Sequence, residues 1–185
     1  QSLANPWSAR LEAKIAGNIA RTLLRESFGK TDVEPAMPLL AYQQNSGGLS
    51  PLPYDSEDVA LSAKVAAVDA TDIDRASLAN YFWSITDDAK ASREEGIQAL
   101  LGLAALGEPV LPRVQQLADS ADLSWRERLA LIRALDAAGD RERARAMLDA
   151  VLKDAVTTDG LTHLPVADDK QSIIEATAEV SPLAA

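Results

Sequence analysis

Two serines, Ser92 and Ser124, stand 32 residues apart, and each is followed three places later by a glutamate, Glu95 and Glu127. Two glycines, Gly107 and Gly139, are also 32 residues apart. A Ser-x-x-Glu box opens a helix because hydroxyl and carboxylate satisfy amides that the first turn leaves without partners. A glycine closes a helix because it adopts the left-handed conformation at no steric cost. Start and stop signals kept in register constrain the chain to successive helix pairs, each hiding an apolar face against its neighbour. The connections within this register are short, so consecutive helices run antiparallel.

The apolar residues follow that grammar. Ile97, Leu100, Leu101 and Ala104 form a helical stripe after Ser92, and Leu131, Ile132 and Leu135 form another after Ser124. Pro109 is expected to start a shorter helix carrying Val110, Val114 and Leu117, and Asp140 to cap one carrying Ala144, Met147, Leu148 and Val151. Upstream, Asn5-Pro6 predicts a helix over roughly residues 6–28, with Leu11, Ile15, Ile19, Thr22 and Leu23 as its buried stripe and Gly29 as its stop. Pro35 is expected to begin a short helix through Leu39, Leu40 and Gln43, ended by Asn45-Ser46-Gly47-Gly48. Glycines and prolines predict a long loop over residues 45–55. Asp55 or Ser56 would then cap a helix bearing Leu61, Val65 and Val68. Thr71 to Asp74 resembles a capping box before Leu78, Tyr81, Phe82 and Ile85. A Thr157-Thr158-Asp159-Gly160 turn precedes a last helix from about Asp169.

Composition agrees with an all-α fold. Apolar residues make up 47% but aromatics only 4%, so the interior is built from Ala, Leu, Ile and Val, which helices pack well. The length of 185 residues suits one domain, residues 1–185. The opening at Gln1 and the helix-like ending at Ala185 lead us to expect a piece truncated at both ends from a larger protein. A formal charge of −10 disfavours nucleic acid and anionic membrane as partners. No apolar run reaches the roughly 20 residues of a membrane span. The absence of cysteine removes thiolate nucleophiles, disulfides and thioesters.

Three stretches resemble the α/α toroid shared by terpenoid cyclases, protein prenyltransferases and the thioester-containing domain of α2-macroglobulin-like proteins. Gln43-Gln44-Asn45-Ser46-Gly47-Gly48-Leu49 is similar to the "Gln-Gln-x-Asp-Gly-Gly-aromatic" turn of that family. The stretch from Asp55 to Ala63 is similar to the Ser/Asp-rich start of its next helix. Thr158-Asp159-Gly160 followed by Ile173 to Ala178 resembles a second such turn and the "Glu-Ala-Thr-Ala" helix of bacterial α2-macroglobulin-like domains. The resemblance implies a partial toroid of antiparallel helix pairs. It also implies a non-catalytic interaction or structural domain of a large secreted or surface bacterial protein. Leu49 departs from the aromatic of the pattern, and the Cys-x-Glu-Gln thioester cannot form. The alternatives are a toroid enzyme, either a degenerate cyclase or a hydrolase, and a tetratricopeptide-like α-solenoid adaptor.

Candidate sites compete with plainer readings. Asp69, Asp72 and Asp74 form an Asp-rich stretch of the kind with which a cyclase protonates an alkene, but Asp and Thr here also suit a helix cap. His163, with Asp159, Asp168 and Asp169 near it in sequence, is the one histidine and too few for a zinc set or a triad. Arg126, Arg128, Arg133, Arg141, Arg143 and Arg145 concentrate positive charge, although Glu127, Asp136, Glu142 and Asp149 are interleaved with them, Arg145 and Asp149 at i, i+4. Trp7, Trp83 and Trp125 are potential anchors for a protein. The expected interaction surface is therefore Trp7, Trp83, Trp125, Arg126, Arg141 and Arg145, with no catalytic residue, metal or cofactor. Protein, or neighbouring domains of the parent chain, is the expected partner. The expected location, on the resemblance alone, is extracytoplasmic.

Overall fold

The structure, a computed structural model, describes residues 8–68, 72–158, 161–166, 173, 174 and 176–178. Among these the chain is predominantly helical, with one small β-hairpin. It forms two compact units, Gln1–Asp88 and Ala89–Ala185.

The first unit holds α1 (Leu11–Glu26), a 3-10 turn (Leu40–Tyr42), α2 (Val59–Ala67) and α3 (Arg75–Asp87). Helix α1 begins at Leu11, whose amide donates to the Pro51 carbonyl at 2.9 Å, and residues 8–10 before it are not helical, while Asn5 and Pro6 lie outside the described residues. Its buried face also differs from the expected stripe. Leu11 is buried, but Ile19 and Leu23 are 43% and 51% exposed, while Gly17 and Arg21 are buried. The reason is polar tethering of the following segment. Asn18 Oδ1 accepts from the Met37 amide at 2.7 Å, Asn18 Nδ2 donates to the Met37 carbonyl at 2.9 Å, and Arg21 donates to Glu34 at 3.2 Å. These bonds lay residues 34–37 on the Gly17–Arg21 side, and they leave the helix expected from Pro35 as only the Leu40–Tyr42 turn. The caps of α2 and α3 are Asp58 and Asp74, not Asp55, Ser56 or Thr71: Asp58 accepts from the Leu61 amide, and Asp74 from Ala76 and Ser77. Val68 lies past the end of α2 and is exposed, whereas Leu61, Val65, Leu78 and Phe82 form core.

The second unit holds α4 (Arg93–Leu106), α5 (Leu111–Ala118), α6 (Trp125–Ala137) and α7 (Arg141–Leu152). It ends in strands β1 (Val156–Thr158) and β2 (Leu161–His163), antiparallel with Val156 opposite His163. Both capping boxes close reciprocally: the Ser92 amide donates to Glu95 at 2.8 Å and the Ser124 amide to Glu127 at 2.7 Å. Gly107 takes φ +87°, and the Glu108 amide turns back onto the Leu103 carbonyl. Helix α5 starts at Leu111 with Pro112 in its first turn, two residues later than Pro109 suggested, because Val110 is taken into the core as the cap residue. Asp140 caps α7 as expected. Helix α6 packs against α4, α5 and α7, and Ile97, Leu101, Leu103, Leu129, Leu131, Ile132 and Leu135 are almost fully excluded from water. The hairpin was not anticipated. Residues 173, 174 and 176–178 are helical, while Asp169 lies outside the described residues.

Candidate functional site

The first of the resembling stretches, residues 43–49, builds a turn whose polar groups are engaged within the first unit, while Asp159, Gly160 and Glu175 of the third lie outside the described residues. Gln43 spends its amide on the start of α3, accepting from the Asp74 amide and donating to the Asp74 carbonyl, both at 2.8 Å. Ser46 donates to Glu57 at 2.6 Å and thereby holds that carboxyl below its ordinary pKa. Gln44 donates to buried Ser50, and the Leu49 amide to buried Ser62, at 2.7 and 2.8 Å. Gly47, at φ +95°, leaves no room for a side chain: a Cβ there would lie 2.0 Å from the Ser77 carbonyl oxygen. Leu49, in place of the aromatic, is fully buried.

The Asp-rich stretch does not form an acid site at the positions described. Asp72 is exposed and accepts from the Leu39 amide at 2.6 Å, and Asp74 is exposed and caps α3. Asp69 lies outside the described residues. His163 is half-buried on β2, and among the described residues no group of three His, Asp or Glu side chains assembles a metal site. Asp159, Asp168 and Asp169 lie outside them.

Three arginines of the cluster have acidic neighbours. Arg145 pairs with Asp149 at 3.3 Å, Arg141 approaches Asp136 at 3.7 Å, and Arg143 joins Asp119 and the Gln115 carbonyl. These are pairs on the surface of the helices, each worth little in water. Arg126 and Arg128 are exposed on the first turns of α6, and the Arg126 guanidinium lies 5.0 Å from the centre of the Trp125 ring. Trp83 is half-buried on α3, and Trp7 lies outside the described residues.

Trp125 and Arg128 face a cleft of about 190 Å³ completed by Leu129, Val151, Asp154, Leu164, Pro165 and Val166. Its walls are mostly apolar, and its charged groups sit on exposed residues. The cleft exists because the chain after β2 returns past the start of α6, where the Leu164 amide donates to Thr177 Oγ1 at 3.2 Å and Leu164 is itself buried. Sequence reading singled out Trp125 and Arg126 but not Val151, Asp154 or the Leu164–Val166 wall. An Asp-Gly pair between Val156-Thr157-Thr158 and Leu161-Thr162-His163 was the available signal for the hairpin that leads back to α6.

Arg93, 32 residues before Trp125, donates through Nε and Nη2 to both oxygens of Glu127 at 2.7 and 3.0 Å. It also donates to the Asp122 side chain and carbonyl at 2.9 and 3.0 Å. Glu127 is buried, and the Arg93 guanidinium holds its carboxyl below the ordinary range against the opposing effect of burial. No protein-family model, curated protein or solved structure matches the chain.

Proposed function

We propose that the chain is a non-catalytic protein-interaction module whose contact surface is the cleft at the start of α6. The observation that carries this reading is the cleft's lining: a half-buried tryptophan and one exposed arginine, Arg128, beside an apolar recess, residue types that dominate binding energy at protein interfaces. The volume also argues against a cofactor or drug-sized substrate, whose sites run to about 300–1,000 Å³. The resemblance to α2-macroglobulin-like toroid domains, without the thioester, supports placement in a large secreted or surface bacterial protein. The net charge supports a protein rather than a nucleic-acid partner. Among the described residues no helix is long and apolar enough to cross a membrane.

One observation favours a tetratricopeptide-like adaptor as the second reading. Helix α6 packs against both members of the preceding pair, α4 and α5, which is how a solenoid shares burial between repeats. Either arrangement gives the same test. A photo-crosslinking amino acid at position 128, in the protein in its own host, is expected to yield a discrete protein adduct. The same group at position 145 is expected to yield none. Equal labelling from both positions sinks the reading.

A further inference from the structure

Residues 34–38 read Glu-Pro-Ala-Met-Pro, and each proline biases the residue before it, Glu34 or Met37, toward the extended conformation. In the structure residues 33–39 have no regular secondary structure, and Glu34, Pro35, Ala36 and Pro38 are exposed. Side chains of α1 hold this strap. Asn18 accepts from the Met37 amide at 2.7 Å and donates to the Met37 carbonyl at 2.9 Å, and Arg21 donates to Glu34 at 3.2 Å. The partners of the ion pair are unequally placed: the Arg21 side chain is 5% exposed and that of Glu34 68%. The cation is built into a helix, whereas the anion is brought to it by a stretch that buries little of itself. A guanidinium so withdrawn from water adds little stability but discriminates well, since a carboxylate opposite it is accepted and its loss is penalised.

We propose that this side of α1 is a recognition site for an extended acidic segment of a partner protein, occupied in cis by residues 34–37 and opened when they lift. Asn18 reads backbone alone, through both atoms of its amide, so it takes any residue at that place. Arg21 requires a carboxylate three positions earlier. Asp72, accepting from the amide of buried Leu39, fixes the far end of the strap and limits the opening to the residues before it. Opening is local because the stretch has little burial to lose. A tethered occupant acts at an effective concentration on the order of millimolar, so a partner displaces it by making contacts that the strap does not make. Ile19 and Leu23, 43% and 51% exposed on the same turns of α1, are apolar surface for those contacts. The site lies within the first unit and is independent of the cleft at the start of α6.

The probe is a capped, fluorescein-labelled peptide of residues 32–38, titrated into the full chain and followed by anisotropy. Glu34→Lys, which unseats the cis strap, is expected to bind it saturably, and wild type at least about tenfold more weakly. A peptide with lysine in place of its glutamate is expected to bind Glu34→Lys at least about tenfold more weakly than the strap peptide, and so is the strap peptide to the double variant Asn18→Ala, Glu34→Lys. Circular dichroism matching wild type reports that each variant is folded, and Glu34→Gln takes the place of Glu34→Lys where it does not match. Wild type gives a second reading. Its Met37 amide is expected to exchange hydrogen through a local opening insensitive to low urea, well before amides in the middle of α3. No saturable binding by the folded variant at millimolar peptide, equal binding of the lysine peptide, or a Met37 amide that exchanges only with global unfolding overturns the proposal.

Discussion

Glu127 is the residue on which most of the second unit's polar order converges. One carboxylate closes its own helix through the Ser124 amide and accepts from Nε and Nη2 of Arg93 in the preceding pair, so a local cap is also a link between repeats. Gln is as good as Glu at this position of a capping box, so Glu127→Gln keeps the cap and removes the charge. The expected loss is about 1–2 kcal/mol at neutral pH, the difference between a charge-assisted and an ordinary hydrogen bond. The loss has a definite pH dependence. Because the folded protein holds Glu127 below its unfolded value, near 4.3, the stabilisation is complete above that value. It disappears as pH falls through the depressed folded value. Urea unfolding of wild type and Glu127→Gln between pH 7 and pH 3 is expected to show two curves that converge at the acid end. A gap that stays constant with pH overturns the assignment of this charge pair.

At the scale of elements, what could be read from sequence was what is decided within a few residues. Gly47 and Gly107 illustrate two costs that sequence alone cannot separate. Both have positive φ, but a Cβ at Gly107 meets open space and one at Gly47 collides with backbone. Gly107→Ala is therefore expected to cost about 1–2 kcal/mol, the strain of the left-handed region. Gly47→Ala should cost more than about 3 kcal/mol or displace α3, and thermal unfolding of the two variants checks the order. Ser92 with Gly107, and Ser124 with Gly139, marked α4 and α6, and Asp140 marked the start of α7, because caps act through their own neighbours. The stripe of α1 misled because a helix buries whichever face its partner covers. The partner here is a loop fastened by Asn18 and Arg21, whose hydrogen bonds leave no apolar period. Trp125 and Arg126 were legible as interface residue types. The cleft was not, since three of its eight lining residues are Leu164, Pro165 and Val166, whose return to the start of α6 no local pattern announces.

For the whole molecule, the two units are sustained by different physics. In the second, four helices share a core of leucine, isoleucine and alanine, and capping boxes, stop glycines and the Arg93–Glu127 pair all specify the same packing. In the first, residues 27–58 include only one 3-10 turn, and side chains such as Asn18, Gln43, Gln44 and Ser62 supply partners for backbone groups that regular structure would satisfy elsewhere. Agreement between local signals and global packing is what makes a segment fold by itself. A chain of residues 89–185 is thus expected to be helical by circular dichroism and to unfold in one cooperative transition, with a Tm in the ordinary range of roughly 45–65 °C. In a ¹H–¹⁵N correlation spectrum the Trp125 indole should resonate at the same position in this piece as in the intact chain, because every lining residue of the cleft belongs to this unit. A broad, non-cooperative melt would show that the repeat grammar of residues 92–152 does not suffice. The paired capping boxes would then be a consequence of the fold rather than its cause.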